Sequence, residues 1–260
     1  MMSALPELCQ KVMNAYESLD FGLGRHVVSP YYMNADKRKR AASAVESGKG
    51  SPEEIVEELK LRALIKKIDL AKLSREEIRQ LMTDERIGID CSGLVSHILD
   101  PWVKETSHSA LGRSLLRTQR SLKRKLLLRF RPFQNIDVTL LTSPENAQSV
   151  MLTDVKPGDL IRTRGGKHVL LIDEVEKDME NLISFSFIHS SDRFGNASGV
   201  QRGRVVILKP EASLYEQHWQ ESLPDQKPAY EGWLEEREKN GILRLNAINE
   251  KSQIQSSKFK

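Results

Sequence analysis

The sequence predicts an α+β fold, with N-terminal helices packed on one face of an antiparallel β-sheet. Helical periodicity and two helix-start signatures fill the first half of the chain. After residue 136 the apolar period changes to two. The connections between the later strands are too short for a series of parallel crossover units.

Leu5, Leu8, Val12 and Tyr16 recur at helical spacing and place a first helix over residues 5–19, with Pro6 tolerated in its first turn. Pro30 breaks regular structure after that helix, and VVSPYYMN reads as extended chain. Residues 35–51 are basic, small and glycine-bearing, and read as an exposed loop. Ser51-Pro52-Glu53-Glu54 is a capping box with proline at the first helical position, opening a helix to about Lys67. Ser74-Arg75-Glu76-Glu77 opens another to about Met82. Asp90 is an N-cap before Leu94, Val95, Ile98 and Leu99, and Asp100-Pro101 is expected to end that helix. Residues 110–130 read as helical and very basic. Strands are expected at 137–142, 159–164, 167–174, 181–190, 203–209 and 242–248, with Gly165-Gly166 suited to a tight hairpin. A helix near 211–221 interrupts the later strands, and the polar tail from Glu250 reads as frayed.

Composition bounds the function. Hydrophobic residues make up 39% of the 260 positions, enough to bury a core and to exclude wholesale disorder. The aromatic fraction of 6% argues against a base-stacking surface, so nucleic acid is not an expected partner. Two cysteines exclude a disulfide scaffold and suit a reducing compartment. There is no basic-then-apolar leader and no apolar run near the roughly 20 residues that span a bilayer. The expected location is therefore cytoplasmic, with no integral membrane segment; export by another route stays open. Residues 113–131 carry eight Arg or Lys and no acid, beside Leu115, Leu116, Leu122, Leu126 and Leu127. They read as a core-packed helix with a solvated basic face. The alternative is an anionic surface or polymer as partner at Arg113–Arg131.

The chemistry centres on Cys91. One residue past a helix N-cap, it meets unpaired N–H groups and the positive end of the helix dipole, which favour thiolate over thiol. Ser92 and Gly93 are small enough for a substrate carbonyl to approach, and the Cys91 N–H suits an oxyanion hole. A thiol nucleophile needs a base. His168 opens the apolar strand KHVLLIDEV after the hairpin, and His189 ends the next, NLISFSFIHS. Alternation puts His168, Leu170 and Ile172 on one face of the first, and Phe185, Phe187 and His189 on one face of the second. If both faces meet the Cys91 helix, His168 pairs with the thiol and His189 holds the other nitrogen of that ring. Asp192 and Asn196 are alternatives for that last role. Cys9 reads as structural. His26, His97, His108 and His218 lack metal-ligand spacing, and no CxxC or HExxH is present, so neither metal nor cofactor is expected.

Asp90-Cys91-Ser92-Gly93-Leu94-Val95 resembles the DCSGLV signature of the NlpC/p-sixty family of papain-like cell-wall cysteine peptidases. Pro157-Gly158-Asp159-Leu160-Ile161 resembles that family's PGDL strand, His168-Val169 its HV pair, and Ile188-His189-Ser190 the segment carrying its third polar residue. The elements occur in the family's order over about residues 87–209. The resemblance implies a papain-like domain with Cys91 as nucleophile, His168 as base and His189 as orienter. It implies hydrolysis of amide bonds in peptidoglycan-type stem peptides through a thioester. The division implied is a helical N-terminal extension (1–86), a peptidase core (87–249) with a basic insertion at about 105–131, and a flexible tail (250–260). The chain departs from the pattern in three ways. The family's active-site tyrosine and glycine pair do not precede the cysteine closely, with Tyr31 and Tyr32 the nearest candidates. The interval from Cys91 to Pro157 is longer than usual and contains the basic helix, and no export signal is read. Alternatives at the same site are an acyltransferase or amidase on a cytoplasmic substrate, or an inactive scaffold that binds an anionic partner.

Overall fold

Both capping boxes form. In the computed structural model, which describes residues 1–34, 43–116, 121–179, 181–223 and 227–248, Ser51 and Ser74 each accept the backbone N–H three residues on, while Glu54 and Glu77 reach back to the serine N–H. These caps open α2 (Pro52–Ile65) and α3 (Arg75–Asp84), as counted after β1 (Met2–Ala4), α1 (Glu7–Glu17), β2 (Leu19–Asp20) and β3 (His26–Val27). The first helix is shorter than expected, because residues 2–4 join the sheet and Pro6 is the N-cap. Residues 35–42 and the tail from 249 lie outside the described residues.

Then come α4 (Cys91–Ser107), α5 (Leu111–Leu116), α6 (Leu122–Phe130) and α7 (Val138–Leu141). The rest of the chain is β4 (Ala147–Ser149), β5 (Leu160–Thr163), β6 (His168–Asp178), β7 (Asn181–Ser191), β8 (Gly199–Val206), β9 (His218–Glu221), α8 (Pro228–Leu234) and β10 (Gly241–Leu245). The later strands form one antiparallel sheet in the order β4-β10-β5-β6-β7-β8-β9, while β2 and β3 pair separately. β6 outruns β5, and β1 takes up its far half at Glu174–Glu176. The coarse α+β class is therefore correct.

Four local expectations are overturned. Asp100-Pro101 does not end α4; the helix runs on to Ser107. Burial of Val103 and Thr106 outweighs the lost backbone bond, and the Asp100 carboxylate accepts the Leu111 N–H at 2.8 Å to start α5. Residues 138–141 are a helical turn rather than a strand, capped by Asp137 Oδ1 on the Leu140 N–H at 2.7 Å. The helix expected near 211–221 is a 3-10 turn at Leu214–Glu216 followed by β9, whose Trp219 is buried. The apolar stripe of the basic segment is split: Leu111 and Leu115 are buried in α5, but Leu122 and Leu126 of α6 are 73% and 48% exposed. That part of the segment is not core-packed, because none of the described residues covers the face carrying those two side chains.

Helices do not cover one face only. On the α4 face, Leu94, Val95 and Ile98 pack with Cys9, Met13 and Tyr16 of α1 over Val169, Leu171 and Ile188 of the sheet. On the opposite face, Leu170, Ile172, Phe185 and Phe187 form a second core with Trp219 and Trp233. β9 and α8 supply that cover, which is why the C-terminal segments are needed to complete the sheet. Among the described residues, no helix is long and apolar enough to cross a membrane.

Candidate functional site

Asp90 caps α4 directly, its Oδ1 accepting the Gly93 N–H at 2.6 Å. The Cys91 and Ser92 N–H groups lie in the same first turn, where a helix supplies no partner of its own. Three strand-like passages converge beneath this cap. Ile89 bridges both Tyr31 and Lys49, and Pro30 bridges Gly199. The approach is close enough that a Cβ on Gly88 would meet the Pro30 oxygen at 2.3 Å. Gly93 is likewise constrained, since its Cβ would meet Ile89 Cδ1 at 2.8 Å and the Gly48 oxygen at 2.9 Å. Its smallness thus serves packing against residues 48–49 rather than substrate access, and Ser92 is buried too.

Lys49 is the main surprise. The sequence places it in an exposed loop, yet it is buried behind Cys91, with its side chain and that of Asp90 each 7% exposed. Its Nζ pairs with Asp90 Oδ1 at 2.7 Å, donates to the Ile136 oxygen at 2.9 Å and also reaches Ser92 Oγ. The Lys49 carbonyl accepts from His97 Nε2 at 2.8 Å, and His97 stacks on Phe133 at 4.0 Å. Tyr16 Oη donates to the Gly50 oxygen at 2.8 Å. The packed helices α1 and α4 thus hold the 48–50 segment against the cap. A charge run in a glycine-bearing stretch carries no pattern that marks this lysine out from the other basic residues of the run.

The two histidines meet. His168 Nε2 lies 2.9 Å from His189 Nδ1, with the rings edge-on at 5.2 Å and both side chains buried. They do so on a face other than the expected one. Leu170, Ile172, Phe185 and Phe187, which share their alternation, fill the core opposite α4. Cys91 reaches β6 end-on instead: its sulfur accepts a hydrogen bond from the Val169 N–H, the peptide that follows His168. Among the described residues no hydrogen bond joins the sulfur to either imidazole; His168 Nε2 is committed to His189, which leaves Nδ1 as the nitrogen available to the thiol. Such pairs are commonly longer in an unliganded site. Asp192 is engaged by Arg164 Nη1 at 2.8 Å, and Asn196 is an exposed residue whose carbonyl accepts from Arg79, so neither stands behind His168. Behind His189 stands Glu221, which no motif marks: its Oε2 is 3.5 Å from His189 Nε2, and both side chains are fully buried.

Electrostatics correct a second expectation. Burial pushes the Cys91 thiol up to about 11, and Asp90 pushes the same way; Lys49, the Val169 N–H and Arg164 oppose them without prevailing. Burial, then His189, Arg164 and Arg193, hold His168 well below the usual imidazole value. The resting site is therefore thiol and neutral imidazole rather than an ion pair, because desolvation outweighs the helix end. Alkylation of Cys91 by iodoacetamide, followed by site-resolved mass spectrometry, is expected to speed up about tenfold per pH unit from 7 to 10. A rate already level between pH 6 and 8 would reveal a preformed thiolate and contradict this. Of the two tyrosines, Tyr31 is the one that feels the Cys91 sulfur. Burial and then the Cys91 sulfur, Asp90 and Asp192 raise its phenol, with Arg164 opposing.

The PGDL segment is a fastening. Gly158 takes φ +93° and a Cβ there would meet the Trp102 ring at 2.5 Å, so glycine is required. Asp159 is buried, accepts the Lys156 N–H at 2.8 Å and receives Arg244 through two bonds of 2.7 Å, tying β5 to β10. No three His, Cys, Asp or Glu side chains converge as metal ligands among the described residues. Compared with models of known families, with curated proteins and with solved structures, the chain matches none.

Proposed function

We propose that the chain is a papain-like cysteine hydrolase of the NlpC/p-sixty kind, cleaving amide bonds in peptidoglycan-type stem peptides. The reading is carried by one arrangement: the Cys91 sulfur on the Val169 N–H, the peptide that follows His168, whose Nε2 is 2.9 Å from a second, buried imidazole. With a neutral His168, Nδ1 takes the thiol proton as the sulfur attacks the carbonyl carbon. The first-turn N–H groups of α4 face the oxygen that becomes negative. Collapse breaks the C–N bond; His168 returns its proton to the leaving amine and a thioester remains on Cys91. Water then gives its proton to His168 and its oxygen to the acyl carbon, and the thiolate leaves and is reprotonated. Arg164 adds positive potential around Cys91, His168 and Tyr31.

The test is incubation with defined muropeptides, with mass spectrometry of both products and protein. Cleavage at a peptide amide, with a transient acyl adduct on Cys91, is expected. Intact muropeptides together with no adduct on Cys91 would remove the proposal.

A further inference from the structure

Glu221 lies on β9, outside every motif, and is held in place from the far side: its Oε1 accepts the Ala229 N–H of α8 at 3.2 Å. Its Oε2 approaches His189 Nε2 at 3.5 Å, and neither of these two buried atoms has a hydrogen-bond partner elsewhere among the described residues. Phe187 and Phe194 stand edge-on to the His189 ring at 5.8 and 6.0 Å, so apolar edges surround the pair. A carboxylate oxygen withdrawn from water needs a donor, and a ring nitrogen beside it without another partner is that donor if it carries the hydrogen.

We propose that Glu221 is a positioning residue that sets the tautomers of both imidazoles; this rests on the Cys91–His168–His189 reading above. With Oε2 accepting from His189 Nε2–H, His189 Nδ1 is a lone pair. It must then accept from His168 Nε2–H across the 2.9 Å contact. His168 Nδ1 is left unprotonated, which is the state a base needs. The reversed chain, with hydrogens on both Nδ1 atoms, would leave His168 unable to take the thiol proton. When His168 does take it, the carboxylate two rings away offsets the new positive charge through the same bonds.

The experiment is ¹⁵N NMR of the imidazole nitrogens in the full-length protein, with kinetics of the isosteric variant Glu221→Gln. In the wild type, both His168 and His189 are expected as Nε2–H tautomers; His189 found as Nδ1–H overturns the proposal without any variant. Glutamine has one acceptor oxygen. With that oxygen on the Ala229 N–H, its NH₂ group faces His189 Nε2 and drives the hydrogen to Nδ1. E221Q should therefore show reversed tautomers and a kcat about 10²- to 10⁴-fold lower, with KM little changed. E221Q with wild-type tautomers and kcat overturns the assignment. Wild-type protein with the expected tautomers but no amide cleavage would support the role of Glu221 in setting them while removing the hydrolase reading.

Discussion

Replacing Cys91 with alanine is expected to lower amide hydrolysis by about 10⁴-fold or more, because the covalent route is lost and only the oriented site remains. The fold should survive. Cys91 is small and 7% exposed, and the cap that starts α4 belongs to Asp90 rather than to the cysteine. The sulfur's own hydrogen bond is the one from the Val169 N–H, whose loss is modest for stability. Thermal unfolding close to wild type, with turnover abolished, is thus the predicted pair of results. Residual turnover near the wild-type level in C91A would falsify the nucleophile assignment, whatever the substrate proves to be.

The second large effect concerns Lys49. Lys49→Met keeps the aliphatic stem and removes the ammonium, leaving Asp90 buried beside an uncharged side chain. Breaking a buried pair from one side costs about 3–5 kcal/mol, because the remaining charge loses its partner and does not regain water. For a chain of this length that corresponds to a melting temperature lower by roughly 6–20 °C. The variant should also alkylate more slowly at Cys91, since Lys49 is the first of the groups that lower the thiol against burial and Asp90. A melting temperature within about 2 °C of wild type would show that the pair does not hold the cap, and would return Lys49 to the status of an ordinary loop cation.

Local features were legible where a short stretch of chain satisfies itself. Ser51 with Glu54 and Ser74 with Glu77 close their own hydrogen bonds, and Asp90 caps α4 through Gly93, so residue identity alone was enough. The β5–β6 pairing likewise follows from alternation and the Gly165-Gly166 turn, and the β6–β7 pairing from alternation. Errors arose where distant segments decide the outcome. Pro101 stays helical because Val103 and Thr106 are covered by the core, and 218–221 is a strand because β8 offers an edge and a second core takes Trp219. The covering of both sheet faces also explains why the His168 and His189 alternation could not by itself reveal which side they occupy.

By itself the sequence determined the helix caps, the strand periods and the order of Cys91, His168 and His189 along the chain, since these depend on neighbours only a few residues apart. Tertiary structure alone decided three things: that Lys49 lies behind the cysteine, that Glu221 lies behind His189, and that the resting sulfur is a protonated thiol. Burial and long-range Coulomb interactions depend on what surrounds a group in space, and residues far apart in the chain supply those surroundings.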